Sequence, residues 1–373
     1  MVRRLDRALR AGRVSHAYLF LGPAGSGKTT AARLLAQACN CASLPAPGAP
    51  GHPGLAPCGS CIACRQIAAG TYPDVIEVLP GSGTGQNVSV LQARELRTQA
   101  ALRPRQGRRR LFIFPTAELL SDVAANALLK TLEEPPDFAT LVLAAPGPAV
   151  VLPTIRSRCQ IVRFGVAAPA ALAGALQERF HLPLAEAERL ARYSGGRPGA
   201  AITWAQAPEE MERRRRALDL FAEALAARGE TMADLAPGDT GVAALRLAEQ
   251  ARVPMESGAP NAPGEGDEEE NPPAAPTGGR FQRGTIAAVL SAGLAYLRDL
   301  VLLRAGAPES LIQHTDRLPE LSDLAHRLEP GYPLWAAEQV REAQRLLERN
   351  VTPALVLERL FLNLLLARGP WEV

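Results

Sequence analysis

Residues 22–29 read Gly22-Pro23-Ala24-Gly25-Ser26-Gly27-Lys28-Thr29, a glycine-rich turn closed by a lysine and a hydroxyl residue. That spacing suits phosphate. Backbone N–H groups of Gly22, Gly25 and Gly27 can ring the anion, Lys28 can reach its outer oxygens, and Thr29, followed by Thr30, offers a hydroxyl to magnesium. Chemistry on a bound nucleotide also needs acids. The apolar run placed to deliver them reads Leu111-Phe112-Ile113-Phe114-Pro115-Thr116-Ala117-Glu118, with no carboxylate at 115 or 116. The expectation is a chain that binds ATP or ADP, if at all, without hydrolysing it.

A second chemical centre lies in the cysteines. Cys58, Cys61 and Cys64 form a C-x-x-C-x-x-C knuckle, and Cys41 stands upstream across sixteen residues rich in Ala, Pro and Gly. Four thiolates suit a closed, tetrahedral structural zinc, and two-residue spacings favour chelation over disulfide bridging. The long intervening loop is no obstacle, because closure entropy grows only with the logarithm of length. Cys39, at the end of a predicted helix, is expected to pack rather than ligate, although it could replace Cys41; His52 is a weaker candidate.

The elements that must position these residues alternate. Apolar runs at Ala17–Leu21, Val75–Leu79, Leu111–Phe114, Thr140–Ala145 and Gln160–Phe164 are separated by helical patterns, which predicts an α/β fold: a parallel sheet covered by helices on both faces. The phosphate loop falls between the first run and a helix start, the setting its function needs. Ser121 is placed to cap a helix that Pro135 and Pro136 stop. After Phe164 the pattern is helical only. The predicted domains are 1–164, a small helical section 165–206, and a longer one 207–373. The last contains an acidic Pro/Gly-rich loop, 254–280, too poor in large apolar residues to order itself by burial.

Composition narrows the class. Hydrophobic residues make up 47% of the 373, and the formal charge of +3 is too small to announce a nucleic-acid binder. The only lysines are Lys28 and Lys130. No run is expected to reach the length of a membrane span, and no leader opens the chain, so the expected location is cytoplasmic. The basic run Arg108-Arg109-Arg110 is read as a solvated face, with DNA-backbone contact as the minority alternative. Gly81-Ser82-Gly83-Thr84-Gly85 is read as a surface loop.

Several segments together resemble the bacterial clamp-loader subunits of the AAA+ class, the gamma/tau and delta-prime subunits of DNA polymerase III. The carrying motifs are His16-Ala17-Tyr18-Leu19-Phe20, the phosphate loop, the four-cysteine insert, Asn126-Ala127-Leu128-Leu129-Lys130-Thr131-Leu132-Glu133-Glu134-Pro135-Pro136 and Ser157-Arg158-Cys159. They cover 13–164 densely. Beyond that the match rests on Gly195-Gly196-Arg197-Pro198-Gly199 and a helical collar pattern. The resemblance implies a nucleotide-fold module with zinc, a helical lid and an all-α collar domain. It also implies a hetero-oligomer with gamma/tau and delta that loads the sliding clamp onto primer-template DNA within the polymerase III holoenzyme, away from membranes.

The departures from that family imply a subunit type. Pro115 and Thr116 stand where motor subunits carry Asp and Glu, Ala145 and Pro146 stand at the polar sensor of the terminal phosphate, and Gly199 takes the lid arginine's place, with Arg197 nearby. Arg158 is kept. In the family it acts in trans as an arginine finger, whose planar fork contributes about 10³ to 10⁵ in rate at a neighbour's nucleotide. This pattern is similar to delta-prime, the stator. The chain opens almost directly on a helix, Arg3–Ala11, where the family has an earlier segment touching adenine, which implies either a late start or a weakly held base. The competing readings are a gamma/tau-like motor ATPase and a zinc-containing nucleic-acid-binding module.

Overall fold

The computed structural model describes residues 2–80, 88–234, 245–250, 278–349 and 351–366. The Gly81–Gly85 loop and the acidic segment up to residue 277 lie outside these. Contacts divide the chain into two compact units, Met1–Ala168 with Gly196–Ala200, and Pro169–Gly195 with Ala201–Val373.

The first unit is built on five parallel strands, β1 (Ala17–Leu21), β2 (Val75–Glu77), β3 (Arg110–Phe114), β4 (Ala139–Ala145) and β5 (Gln160–Arg163), in the order β2-β3-β4-β1-β5. Register aligns Leu21 with Ala145 and Phe114 with Leu143, so β1, β3 and β4 end side by side. Every residue of these three strands is buried. Alternation splits them between two cores. Tyr18, Phe20, Leu111, Ile113 and Val142 pack with Leu5 and Leu9 of α1 (Val2–Arg10) and Leu35 of α2 (Lys28–Asn40). Leu19, Phe112, Phe114, Leu141 and Leu143 pack on the other face, with Leu96 of α4 (Val90–Ala100) and Leu128 of α5 (Asp122–Glu133). A sheet buried on both faces explains why its strands read as continuous apolar runs. α3 (Ile62–Ala69) carries the last cysteine of the insert, and α6 (Pro153–Arg156) leads into β5. Ser121 caps α5 as expected, its Oγ accepting from the Ala124 N–H at 3.2 Å.

The second unit is helical: α7 (Pro169–Phe180), α8 (Leu184–Tyr193), most of α9 (Pro198–Gln206), α10 (Pro208–Asp234), α11 at residues 245–250, α12 (Gly278–Arg304), α13 (Leu318–Arg327), α14 (Tyr332–Glu348) and α15 (Pro353–Leu366). α12 begins inside the segment expected to be loop. Its Arg283–Arg304 stretch is long and apolar enough to cross a membrane by length and composition, against the expectation that no run reaches that length. Half of it is buried in the protein, and its Asp299, fully buried, accepts from the Gln313 and His314 N–H groups at 2.9 Å each and lies 2.8 Å from His314 Nδ1. Buried partners for a mid-helix carboxylate fit a core helix of a helical domain.

Candidate functional site: the phosphate loop, the cysteine cluster and Arg158

The loop after β1 follows the shape its residues dictate. Gly22 donates to Ala145 O at 3.1 Å, and a Cβ there would lie 2.2 Å from Phe164 O, so only glycine fits between β1 and the end of β5. Gly25 and Gly27 take φ of +75° and +89°, left-handed values that other residues rarely adopt. Gly27 is the N-cap of α2 and provides no side-chain cap. Lys28 is buried and its Nζ donates to Gly22 O at 2.6 Å and Pro23 O at 2.9 Å. Burial lowers the basicity of this ammonium, and the carboxylate of Glu118 opposes that shift. Thr29 is half-buried and Thr30 exposed.

Glu118 is the residue that reading the sequence missed at this site. After β3 the chain passes Pro115 and Thr116 into a single 3-10 turn, Ala117–Leu119, which brings Glu118 within electrostatic reach of Lys28. Ser26 Oγ, Thr116 Oγ1 and Glu118 Oε2 are buried without a hydrogen-bond partner. Ala145 and Pro146 offer no polar side chain at the end of β4. Gly199, at the start of α9, donates to Gly25 O at 2.8 Å, and a Cβ on Gly199 would lie 3.0 Å from Gly25 O and 3.1 Å from Gly25 Cα. Burial pushes the nearby Arg197 guanidinium below its ordinary value.

Cys41, Cys58, Cys61 and Cys64 come together, their Sγ atoms all within 4.8 Å of one another. The separations Cys41–Cys58, Cys41–Cys61 and Cys58–Cys64 are 3.4, 3.9 and 4.0 Å. A tetrahedron with zinc–sulfur bonds of about 2.3 Å has edges of about 3.8 Å, so the four sulfurs fit such an ion and could hold it. Cys58 Sγ accepts from the Cys61 N–H at 3.3 Å, and Cys61 Sγ from the Cys64 N–H at 3.5 Å, contacts that favour thiolate. Hydrogen bonds from Ser43, Cys61 and Ser60 bring the exposed Cys58 thiol down to about 5, whereas burial pushes Cys64 up. Cys39 is buried outside the cluster, its thiol pushed up to about 12 by burial. His52 is also outside it, with Nδ1 accepting from the Gly54 N–H at 3.0 Å.

The scaffold of this cluster includes residues that no motif signals. Asn40, the last residue of α2, accepts on Oδ1 from the Arg108 and Arg109 N–H groups at 2.8 and 3.0 Å. Arg108 donates to Pro45 O and Leu44 O, just beyond Cys41, at 2.9 and 2.8 Å. Arg109 donates to Asp137 O at 2.7 Å. Arg110 is buried against Asp74, Nη2 to Oδ1 at 3.1 Å. Arg108 is exposed and Arg109 half-buried, as a solvated face expects, while Arg110 is buried; all three side chains also hold neighbouring segments through hydrogen bonds.

Arg158 lies in the turn between α6 and β5. Its Nη2 donates to Glu133 Oε1 at 2.6 Å, and its Nη1 to Thr154 O at 3.1 Å and Ser157 Oγ at 3.3 Å. The side chain keeps 36% of its surface exposed.

Comparison with known proteins matches this unit. A family profile described as DNA polymerase III, delta subunit, covers residues 1–167. The DNA polymerase III subunit gamma/tau of Mycobacterium tuberculosis (H37Rv) is 42% identical over 167 residues, 44% of this chain and 27% of that protein. The tau subunits of Bacillus subtilis and Escherichia coli K12 are each 40% identical, over 42% of this chain and 26% and 22% of theirs. The chain thus spans about a quarter of the length of these relatives. A gamma-subunit-related structure from Thermotoga maritima aligns over 96% of this chain and 97% of its own, at 15% identity and a TM-score of 0.45. Over residues 1–167 the chain is thus similar to the DNA polymerase III delta-subunit profile and to the gamma/tau and tau subunits.

Proposed function

We propose that the chain is a stator of the delta-prime type in a DNA polymerase III clamp loader, a subunit that does not hydrolyse ATP itself. It would assemble with gamma/tau and delta subunits and present Arg158 to the nucleotide of an adjacent motor. In this reading 1–164 is the AAA+ nucleotide-fold domain, 165–206 the lid and 207–373 the collar, and the complex places the sliding clamp on primer-template DNA. The observation that carries it is the seat of Gly199 on the phosphate loop. Motor subunits of the resembled family hold a lid arginine there, but at this position any side chain would demand that backbone of Gly25 give way by a few tenths of an ångström. Pro115 and Thr116, which supply no carboxylate to order magnesium or take a proton from water, agree with it.

The zinc belongs to the same proposal. Bound by Cys41, Cys58, Cys61 and Cys64, it would supply a closed structural cross-link, and the chain's own part is to hold four sulfurs in place through Asn40, Arg108 and the knuckle N–H groups. The phosphate loop would hold ATP or ADP through Gly22, Gly25, Gly27, Lys28, Thr29 and Thr30 without turnover.

The motor reading stands as a second one because Glu118 supplies a carboxylate within electrostatic reach of Lys28. Reconstitution separates the two. With Arg158→Ala, the stator reading expects an assembled loader whose DNA- and clamp-stimulated ATPase falls, and an isolated chain with negligible turnover in either form. An unchanged loader ATPase would overturn the finger assignment, and steady turnover by the isolated chain would overturn the stator assignment.

A further inference from the structure

We infer that Glu133 is a positioning residue for Arg158, holding its guanidinium with two N–H donors still to offer. This rests on Arg158 acting in trans, as proposed above. Glu133 ends α5, and Arg158 follows α6; the two helices converge so that residues twenty-five apart meet at 2.6 Å. A guanidinium has five N–H donors in a rigid fork. Here Nη1 spends both of its hydrogens on Thr154 O and Ser157 Oγ, and Nη2 spends one on Glu133. Among the described residues no hydrogen bond engages the Nε–H or the second Nη2 hydrogen. Those two can grip two oxygens of one anion.

The pair is too exposed to matter for folding. The side chains of Arg158 and Glu133 keep 36% and 47% of their surface, and solvent screens such pairs heavily. Orientation is where the contact acts. A long arginine side chain samples many rotamers, and reaching a reactive phosphate requires one of them. Thr154 O and Ser157 Oγ are local to the arginine's own turn and move with it. Glu133 reaches in from a different helix, so it fixes the fork relative to the body of the domain.

The test uses a loader reconstituted from full-length chains with clamp and primed DNA, with kcat and KM for ATP measured separately. Glu133→Ala is expected to lower kcat roughly two- to five-fold, the population change an exposed pair controls, with KM unchanged. Glu133→Gln, which keeps an acceptor oxygen, should recover most of the loss. In an Arg158→Ala background Glu133→Ala should change nothing further. If Arg158→Ala lowers kcat but Glu133→Ala runs at the unmodified rate, the positioning role is refuted while the finger stands. A loss that persists in the Arg158→Ala background, or a faster loader, refutes it as well. Full activity of Arg158→Ala removes the finger and Glu133's role with it. Should Glu133→Ala fail to assemble on gel filtration, Glu133→Asp, one methylene shorter, must show the same selective drop in kcat, and a full rate refutes the inference.

Discussion

Asp74 is fully buried, yet it is not a motif residue, and its removal should cost more than that of any exposed charge. It accepts from the Arg105, Gln106 and Gly107 N–H groups at 2.7, 2.8 and 2.8 Å and from Arg110 at 3.1 Å. Asp74→Ala would leave Arg110, only 3% exposed, without its carboxylate. Breaking a buried pair in this way costs about 3–5 kcal/mol, and the freed N–H groups can only add to it. In a unit of this size each kcal/mol lowers Tm by about 2–4 °C, so the expected drop is roughly 6–20 °C. Calorimetry of the full chain is the assay, and the transition that moves should be the one that also moves when metal is chelated, because the 105–109 loop bonds Asn40 and the backbone beside Cys41. The pH dependence has a definite sign. Burial pushes the Asp74 carboxyl up, but three backbone N–H donors and Arg110 together hold it below its ordinary value. Its contribution is therefore present above the unfolded value, about 3.9, and is lost as pH falls through the lower folded value. The advantage over Asp74→Asn should narrow below about pH 4. A drop under about 2 °C for Asp74→Ala at pH 7 would refute the buried-pair argument.

The cysteine cluster should yield one zinc per chain by elemental analysis, with Cys61→Ser lowering the melting of the sheet unit alone; absence of stoichiometric zinc after mild purification removes that assignment. The purified chain should show negligible ATP turnover, and Lys28→Ala should leave clamp loading by the complex largely intact. Magnesium-dependent turnover abolished by both Lys28→Ala and Glu118→Gln would instead establish the motor reading.

Much of the sheet was legible because its strands are buried on both faces, which writes them as unbroken apolar runs; Ala17–Leu21 is recovered to the residue and the others to within two residues at each end. The cysteine grouping was legible from spacing alone. What the sequence hid were contacts made across long stretches of chain. Asn40 reads as the polar end of a helix, and nothing in its neighbours announces that it binds backbone sixty-eight residues on. Arg108 is exposed as charge usually is, but the main-chain carbonyls that Arg108 and Arg109 reach, and the burial of Arg110 on Asp74, carry no sequence signature. Glu118 was visible as a letter. Its place is not visible, because a 3-10 turn, which leaves no periodic signature, brings it within electrostatic reach of Lys28.

A buried ammonium must have partners, and Lys28 finds two in the loop's own carbonyls, Gly22 O and Pro23 O. A third carbonyl, Gly25 O, is satisfied by Gly199. The loop thus keeps its shape with the chain's own groups, so an intact motif is compatible with either subunit type and cannot decide between them. The decision falls on positions that change during turnover: the acid that must handle water and magnesium, and the lid residue that must follow the terminal phosphate. In the proposed reading the first is Thr116, with Glu118 the nearest carboxylate after the strand, and the second is Gly199, which lies against Gly25. In that reading Gly199, bonded to Gly25 O through its backbone, has no side chain with which to follow the phosphate, and an interaction that does not differ between states cannot drive a cycle. Arg158 is the opposite case in the proposed reading: a partly exposed cation held by Glu133, Thr154 O and Ser157 Oγ, whose other donors would meet a phosphate only in one state of a neighbour's cycle.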